Sequence, residues 1–190
     1  MWAGVDVGAR RKGFHVAVID ERGLVQGPEN VKSVTEVGDL LAEHAPAVIG
    51  IDSPRCAALV GERSRACERD LAQGVCGIRY TPDQHTIAHG GSYYGWVRNG
   101  LALYEALSAQ DRWELAEVFP TASCTRLRGP RGAMSRAAWS AAALRWLGLD
   151  GLPTGRLSQD GRDAIIAAWT ARLCSTPGAI EWFGEIAVPA

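Results

Sequence analysis

Lysine is scarce in this sequence: only Lys12 and Lys32 stand among the 20 basic residues, and the rest are arginine. Acids and bases nearly cancel, for a formal net charge of −1. No global field therefore draws the protein onto nucleic acid or a membrane, although a local basic surface stays open. Beside so much alanine and glycine, the arginine excess reads as a composition bias. The five cysteines, at 56, 67, 76, 124 and 174, are odd in number and lack a C-x-x-C pair. That excludes an even disulfide framework and the usual zinc spacing, and leaves free thiols of a reducing cytoplasm as the expectation. No apolar run is long enough to span a bilayer, and the opening residues read as a strand rather than a signal peptide. A cytoplasmic protein without membrane contact is expected. There is no G-x-x-x-x-G-K-[ST] phosphate loop, "GVDVG" is not a G-x-G-x-x-G fingerprint, and the four histidines are scattered.

What is present is an ordered run of short elements. Residues 2–7 (WAGVDV) read as a strand apolar on both faces, hence central in a sheet. A "GARRKG" turn leads to a second strand at 14–20, and "ERG" to a short third at 24–27. Residues 34–44 fit an amphipathic helix, and 47–52 a fourth strand, which the intervening helix makes parallel to an earlier one. Helices are expected at 60–72, 97–109, 135–147 and 160–173, a fifth strand at 113–119 and one short strand in the tail. Residues 74–95, rich in Gly, Pro and Tyr, read as a long loop. The expectation is α/β: one RNase H-like domain over 1–190, with a loop and helix insertion at about 55–110. Its five-stranded mixed sheet has three antiparallel strands first, then parallel ones, and is flanked by helices.

Within that order the acids stand out. Asp6 and Asp52 sit near the carboxyl ends of strands one and four. If those strands are parallel neighbours, the two carboxylates meet at the edge where open α/β sheets bind ligands. Together they repel, and a divalent cation removes the conflict. Glu117 lies on strand five, and Asp160 and Asp163 open the last helix, with Asp163 on the inward-facing side. Asp6, Asp52 and Asp163, with Glu117, could hold two Mg²⁺ or Mn²⁺ ions about 4 Å apart for attack on a phosphodiester. Simpler readings stand beside this one. Asp52 precedes Ser-Pro and could cap a turn, Asp160 suits a helix N-terminus, and Glu117 could pair with an arginine. Asp6 is hardest to explain away, since a lone Asp inside an apolar strand has poor β-propensity.

The basic residues divide similarly. Residues 118–149 lack any acid, and "TRLRGPRG" carries Arg126 and Arg128 just after strand five, where they could grip a phosphate backbone. Arg10 and Lys12 at the first hairpin tip share that reading, and a solvated loop serves equally well. "GERSRACERDL" puts Arg65 and Arg69 four apart among acids, which reads most simply as an exposed, salt-bridged helix.

Taken in order, "GVDVGARRKGFHVAVID", "VIGIDSP", "RACERDL", "IRYTP", "EVFPTAS" and "RDAIIAAWTA" resemble the family called domain of unknown function 429, described as predicted nucleases with an RNase H-like fold. The resemblance runs to about residue 174. It implies an acidic site of Asp6, Asp52, Glu117 and Asp163, and a part for Arg65 or Arg69 and for Arg79 of "IRYTP". The resulting expectation is a metal-dependent nuclease acting on nucleic acid. Two alternatives stay open: a non-catalytic RNase H-like module that binds a ligand or partner, and an ATP-binding relative of the actin and sugar-kinase superfamily, for which "GVDVG" followed by a hairpin is the cue.

Overall fold

The computed structural model describes residues 1–190. The first apolar run forms β1 (Trp2–Val7), and "GARRKG" turns it into β2 (Phe14–Ile19). The turn closes with the Gly8 amide donating to the Gly13 carbonyl at 2.8 Å, and Gly13 takes φ +72°, a conformation natural to glycine. There follow β3 (Leu24–Val31), α1 (Val34–His44), β4 (Val48–Asp52), α2 (Ala66–Gly74), α3 (Gln84–His89), a 3₁₀ turn (Gly91–Tyr94) and α4 (Gly95–Ser108). The remainder is β5 (Glu114–Val118), α5 (Pro120–Arg128), α6 (Arg136–Leu147), α7 (Gln159–Cys174), β6 (Ile180–Phe183) and β7 (Ile186–Pro189).

One sheet holds all the strands in the order β3-β2-β1-β4-β5-β7-β6. The meander β1-β2-β3 is antiparallel, and β4, β5 and β7 run parallel to β1. The sheet is thus mixed and flanked by helices, but it has seven strands and not five. The tail forms an antiparallel hairpin, β6 and β7, turning at Gly184 (φ +54°). These four-residue strands are too short for alternation to show in the sequence, and burial of Ile186, Ala187 and Val188 against the rest of the sheet holds them.

The two faces of the sheet are built differently. On one, Val5, Val7, Ile49 and Ile51 pack against Leu41 of α1 and Leu103 and Leu107 of α4. Each such fully buried Leu or Ile contributes about 1.5–3 kcal/mol. α1 is amphipathic and capped: the Ser33 hydroxyl accepts from the Glu36 amide while the Glu36 carboxylate accepts from Lys32 N–H. On the other face α7 lies directly on the strands. A Cβ on Gly4 would come within 2.1 Å of the Ala164 carbonyl, and one on Gly50 within 2.5 Å of that of Ala167. Glycine in β1 and β4, facing alanines along α7, permits this approach. α7 is buried nearly all round, so it lacks the polar stripe of a surface helix.

Several boundaries differ from expectation for identifiable reasons. The helix expected at 60–72 begins only at Ala66, because residues 53–65 form bends and turns instead. The expected loop at 74–95 contains α3, capped by Asp83, and the 3₁₀ turn. "TRLR" is not loop: it ends α5, which starts at Pro120, where the missing N–H of proline costs no hydrogen bond. No helix is long and apolar enough to cross a membrane.

Candidate metal centre

Asp6 and Asp52 are register partners on the parallel strands β1 and β4. Partners share a face, and theirs is that of Gly4 and Gly50, against which α7 packs. Asp163, near the start of α7, reaches the same point. Oxygen atoms of Asp6, Asp52 and Asp163 all lie within 4.8 Å of one another. Three elements far apart in sequence therefore deliver three carboxylates to one spot, at the carboxyl ends of two strands.

The cluster is electrostatically unsatisfied. Burial, then the Asp163 charge, pushes Asp6 from the usual 3.8 up to about 8. Asp52 is raised well above its ordinary value by burial and by Asp6. Two unit charges 4.8 Å apart repel by about 3 kcal/mol at an effective dielectric of 20. No hydrogen bond supports the charged form of either Asp6 or Asp52. Asp163, also raised by burial, does have help: Gln159 Nε2 donates to its Oδ1 at 2.8 Å and Arg136 to its Oδ2 at 2.9 Å. Gln159 is itself aimed, since its Oε1 accepts from Arg162, whose guanidinium also donates to the Ser140 hydroxyl and the Leu157 carbonyl.

A second group shares Asp6. His15, its register partner on β2, and Asp160, in the first turn of α7, bring ligand atoms within the same distance. Burial lowers the His15 pKa, which favours the uncharged ring. Asp160 accepts at 2.9 Å from Lys12 of the β1–β2 turn. The sequence carried a cue for His15: counting outward from the turn, Val7 opposes Phe14 and Asp6 opposes His15. Gln159 was likewise readable, four residues before Asp163 on one helix. Nothing local pointed to Arg136.

Glu117 goes elsewhere. β5 pairs with β4 so that Glu117 opposes Ile51, not Asp52, and it projects on the α1–α4 side of the sheet. There Arg65 Nη1 donates to it at 2.7 Å, Nη2 donates to its other oxygen, and the Arg55 amide donates at 2.8 Å. Arg65 also donates through Nε and Nη2 to Glu68, which accepts the Thr81 amide as well. All three charged side chains are buried. Burial works against the Arg65 charge, but Glu117 more than reverses this and its pKa is raised. Two sequence expectations are thereby corrected. Glu117 is held in an ion pair and lies outside the group of three aspartates, although it and Arg65 line the same cleft, and Arg65 is buried rather than part of an exposed helix.

The other basic candidates scatter. Arg79 lines the cleft of about 950 Å³ that also contains the three aspartates, as do Lys12, Arg131 and Arg136. Arg126 is spent on an ion pair with Glu181, and Arg69 is drawn to Ser64 and Glu62. Arg10 and Arg128 are exposed and outside the cleft lining.

The sequence matches the family model described as "Protein of unknown function (DUF429)" over residues 4–186. Among solved structures, that of RuvC from Thermus thermophilus superposes with a TM-score of 0.47 at 17% identity, covering 91% of this chain and 96% of that one. No curated protein matches the sequence.

Proposed function

The chain belongs to the family described as protein of unknown function (DUF429), and from that premise we propose that it is a metal-dependent nuclease that hydrolyses phosphodiester bonds in nucleic acid. The observation that carries this reading is the convergence of Asp6, Asp52 and Asp163, with ligand oxygens within 4.8 Å and too little positive charge to balance them. The donor set fits the group it implies. Three carboxylates offer only hard oxygen ligands, which suit Mg²⁺ or Mn²⁺, and two of them lack any protein donor.

Asp6 and Asp52 would hold the ion, and Asp163, oriented by Gln159, would complete the set. When bound, such an ion lowers the pKa of a coordinated water and offsets charge on a phosphoryl group. The remaining work falls to residues of the cleft. Arg79 and Arg131, exposed on its walls with no acid bonded to them, would fork onto backbone phosphates. Glu117, through Arg65 and the Arg55 amide, fixes the segment after β4 and so the wall beside Asp52.

A screen for Mg²⁺- or Mn²⁺-dependent cleavage across single-stranded, duplex, hybrid and branched substrates tests the proposal, with Asp6→Asn as the control. Cleavage by the wild type and none by the variant is expected. Equal cleavage by both would place the chemistry elsewhere. No cleavage of any substrate by the wild type would favour the non-catalytic binding module.

A further inference from the structure

Arg136 is the one cation bonded to the three-aspartate cluster, and it is held weakly. Its guanidinium makes a single hydrogen bond, Nη2 to Asp163 Oδ2 at 2.9 Å, and its side chain is 49% exposed while that of Asp163 is 5% exposed. Arg65 and Arg162, by contrast, each donate to several acceptors and are buried. Arg136 also stands first in α6, beyond a segment in which Gly129 and Gly132 take positive φ. A cation gains nothing from a helix N-terminus, where the dipole favours anions. What holds the guanidinium there is the acid opposite, and it offsets one of three negative charges.

We propose that Arg136 is an exchangeable counter-charge: it occupies Asp163 in the metal-free protein, gives up that carboxylate when a divalent cation binds the aspartates, and then takes the phosphate of the substrate. This rests on the metal-dependent reading of the site. Two positive groups cannot share Asp163 without repulsion, and the half-exposed arginine is the mobile one. Arg136 lines the same cleft as Arg79 and Arg131, so once released it already faces the space a phosphodiester would fill. A guanidinium forks onto phosphate with two parallel bonds, against the one it makes here.

The test uses the full chain with Mn²⁺ as the probe, by calorimetry and by the electron paramagnetic resonance of free Mn²⁺, without substrate. Arg136→Gln removes the competitor and should bind Mn²⁺ more tightly by roughly tenfold, about the worth of one hydrogen bond to a charged group. Arg136→Lys, which keeps the charge, should stay near the wild type. Arg10→Ala, which removes an exposed arginine outside the cleft, should leave Mn²⁺ affinity unchanged. Anisotropy of a labelled oligonucleotide then reads the second half. Mn²⁺ should tighten its binding to the wild type and do so much less in Arg136→Gln, because coupling between metal and oligonucleotide runs through the arginine. Unchanged or weaker Mn²⁺ binding by Arg136→Gln would overturn the proposal, as would equal coupling in both proteins. Absence of Mn²⁺ binding by every form would instead remove the metal reading itself. The Mn²⁺ result with no cleavage of any substrate would leave the exchange standing and the nuclease reading refuted.

Discussion

Two clusters of acids and arginines approach the carboxyl edge of one sheet from opposite faces, and both line the cleft there. Arg65, Glu68 and Glu117 are buried, and each carboxylate oxygen has at least one donor. Asp6, Asp52 and Asp163 are acids of the same kind, yet two of the three have no donor and the third has only Gln159 and one partly exposed arginine. Burying charge is tolerable only when partners replace water. The first cluster meets that condition from within the protein, and its energy goes into holding the segment after β4 to the sheet. The second does not meet it, and that deficit is what supports the proposal that it binds something brought from outside. The contrast implies opposite signs: removing an acid from the paired cluster should weaken the fold, and removing one from the unpaired cluster should strengthen it.

The largest effect belongs to the paired cluster. Glu117→Gln leaves Arg65 buried with Glu68 and only the half-exposed Glu185, 3.8 Å away, and breaking a buried pair from one side costs about 3–5 kcal/mol. Urea unfolding followed by circular dichroism should show the midpoint fall accordingly. A loss under about 1 kcal/mol, the range of exposed pairs, would erase the distinction between the two clusters.

Next comes the closeness that creates the unpaired cluster. Gly4→Ala sets a Cβ 2.1 Å from the Ala164 carbonyl, so either α7 or β1 must move. The expected cost is about 3 kcal/mol, the upper end of overpacking. Because α7 carries Asp163, Mn²⁺ affinity should fall together with stability, whereas Glu117→Gln should lower stability with a smaller change in Mn²⁺ affinity. Equal losses of Mn²⁺ affinity in both variants would mean the faces are not independent.

Asp6→Asn should have the opposite sign. Asp6 is raised to about 8 from 3.8, so the folded state prefers its protonated form. Its ionisation opposes folding in full above pH 8, progressively less as pH falls, and not at all below about 4. Asn removes the opposition, and the metal-free variant should gain about 2 kcal/mol at pH 8, less than the full shift implies because Asp52 and Asp163 share the repulsion. Thermal unfolding should show the gap between variant and wild type closing from pH 8 to pH 4. A gap that widens on acidification would contradict the site's electrostatics.

Much of the unpaired cluster was legible because it follows from local rules. An aspartate ending each of two apolar runs, with one helix between the third strand and the fourth, implies parallel neighbours with facing acids. Helical spacing then points Asp163 inward. Glu117 was not legible in the same way. Its strand was identifiable, but which residue of β4 it opposes is set by tertiary registration, and a shift of one position exchanges the faces. Arg65 misled because alternating charges read as solvated, whereas its main partner comes from a strand 52 residues away. α5 was hidden by Pro120, which signals the end of a strand as readily as the start of a helix. The β6–β7 hairpin was too short to show a period.

The smallest effect lies at the rim. Lys12 and Asp160 form an ion pair at 2.9 Å with side chains 62% and 24% exposed. Like Arg65 with Glu117 it joins a cation to a carboxylate, but through one ammonium, and water competes for both partners. Lys12→Ala should therefore change stability by less than about 1 kcal/mol, and a double-mutant cycle with Asp160→Ala should return a coupling in the same range that shrinks as salt is raised. The Arg65–Glu117 coupling, screened from solvent, should barely respond to salt. Comparing the two cycles at low and high ionic strength contrasts an exposed lysine pair with a buried, two-bond arginine pair. If the rim pair matched the buried one in strength and salt response, burial would not be what separates a structural ion pair from a free one in this fold, and the unpaired aspartates would need another explanation.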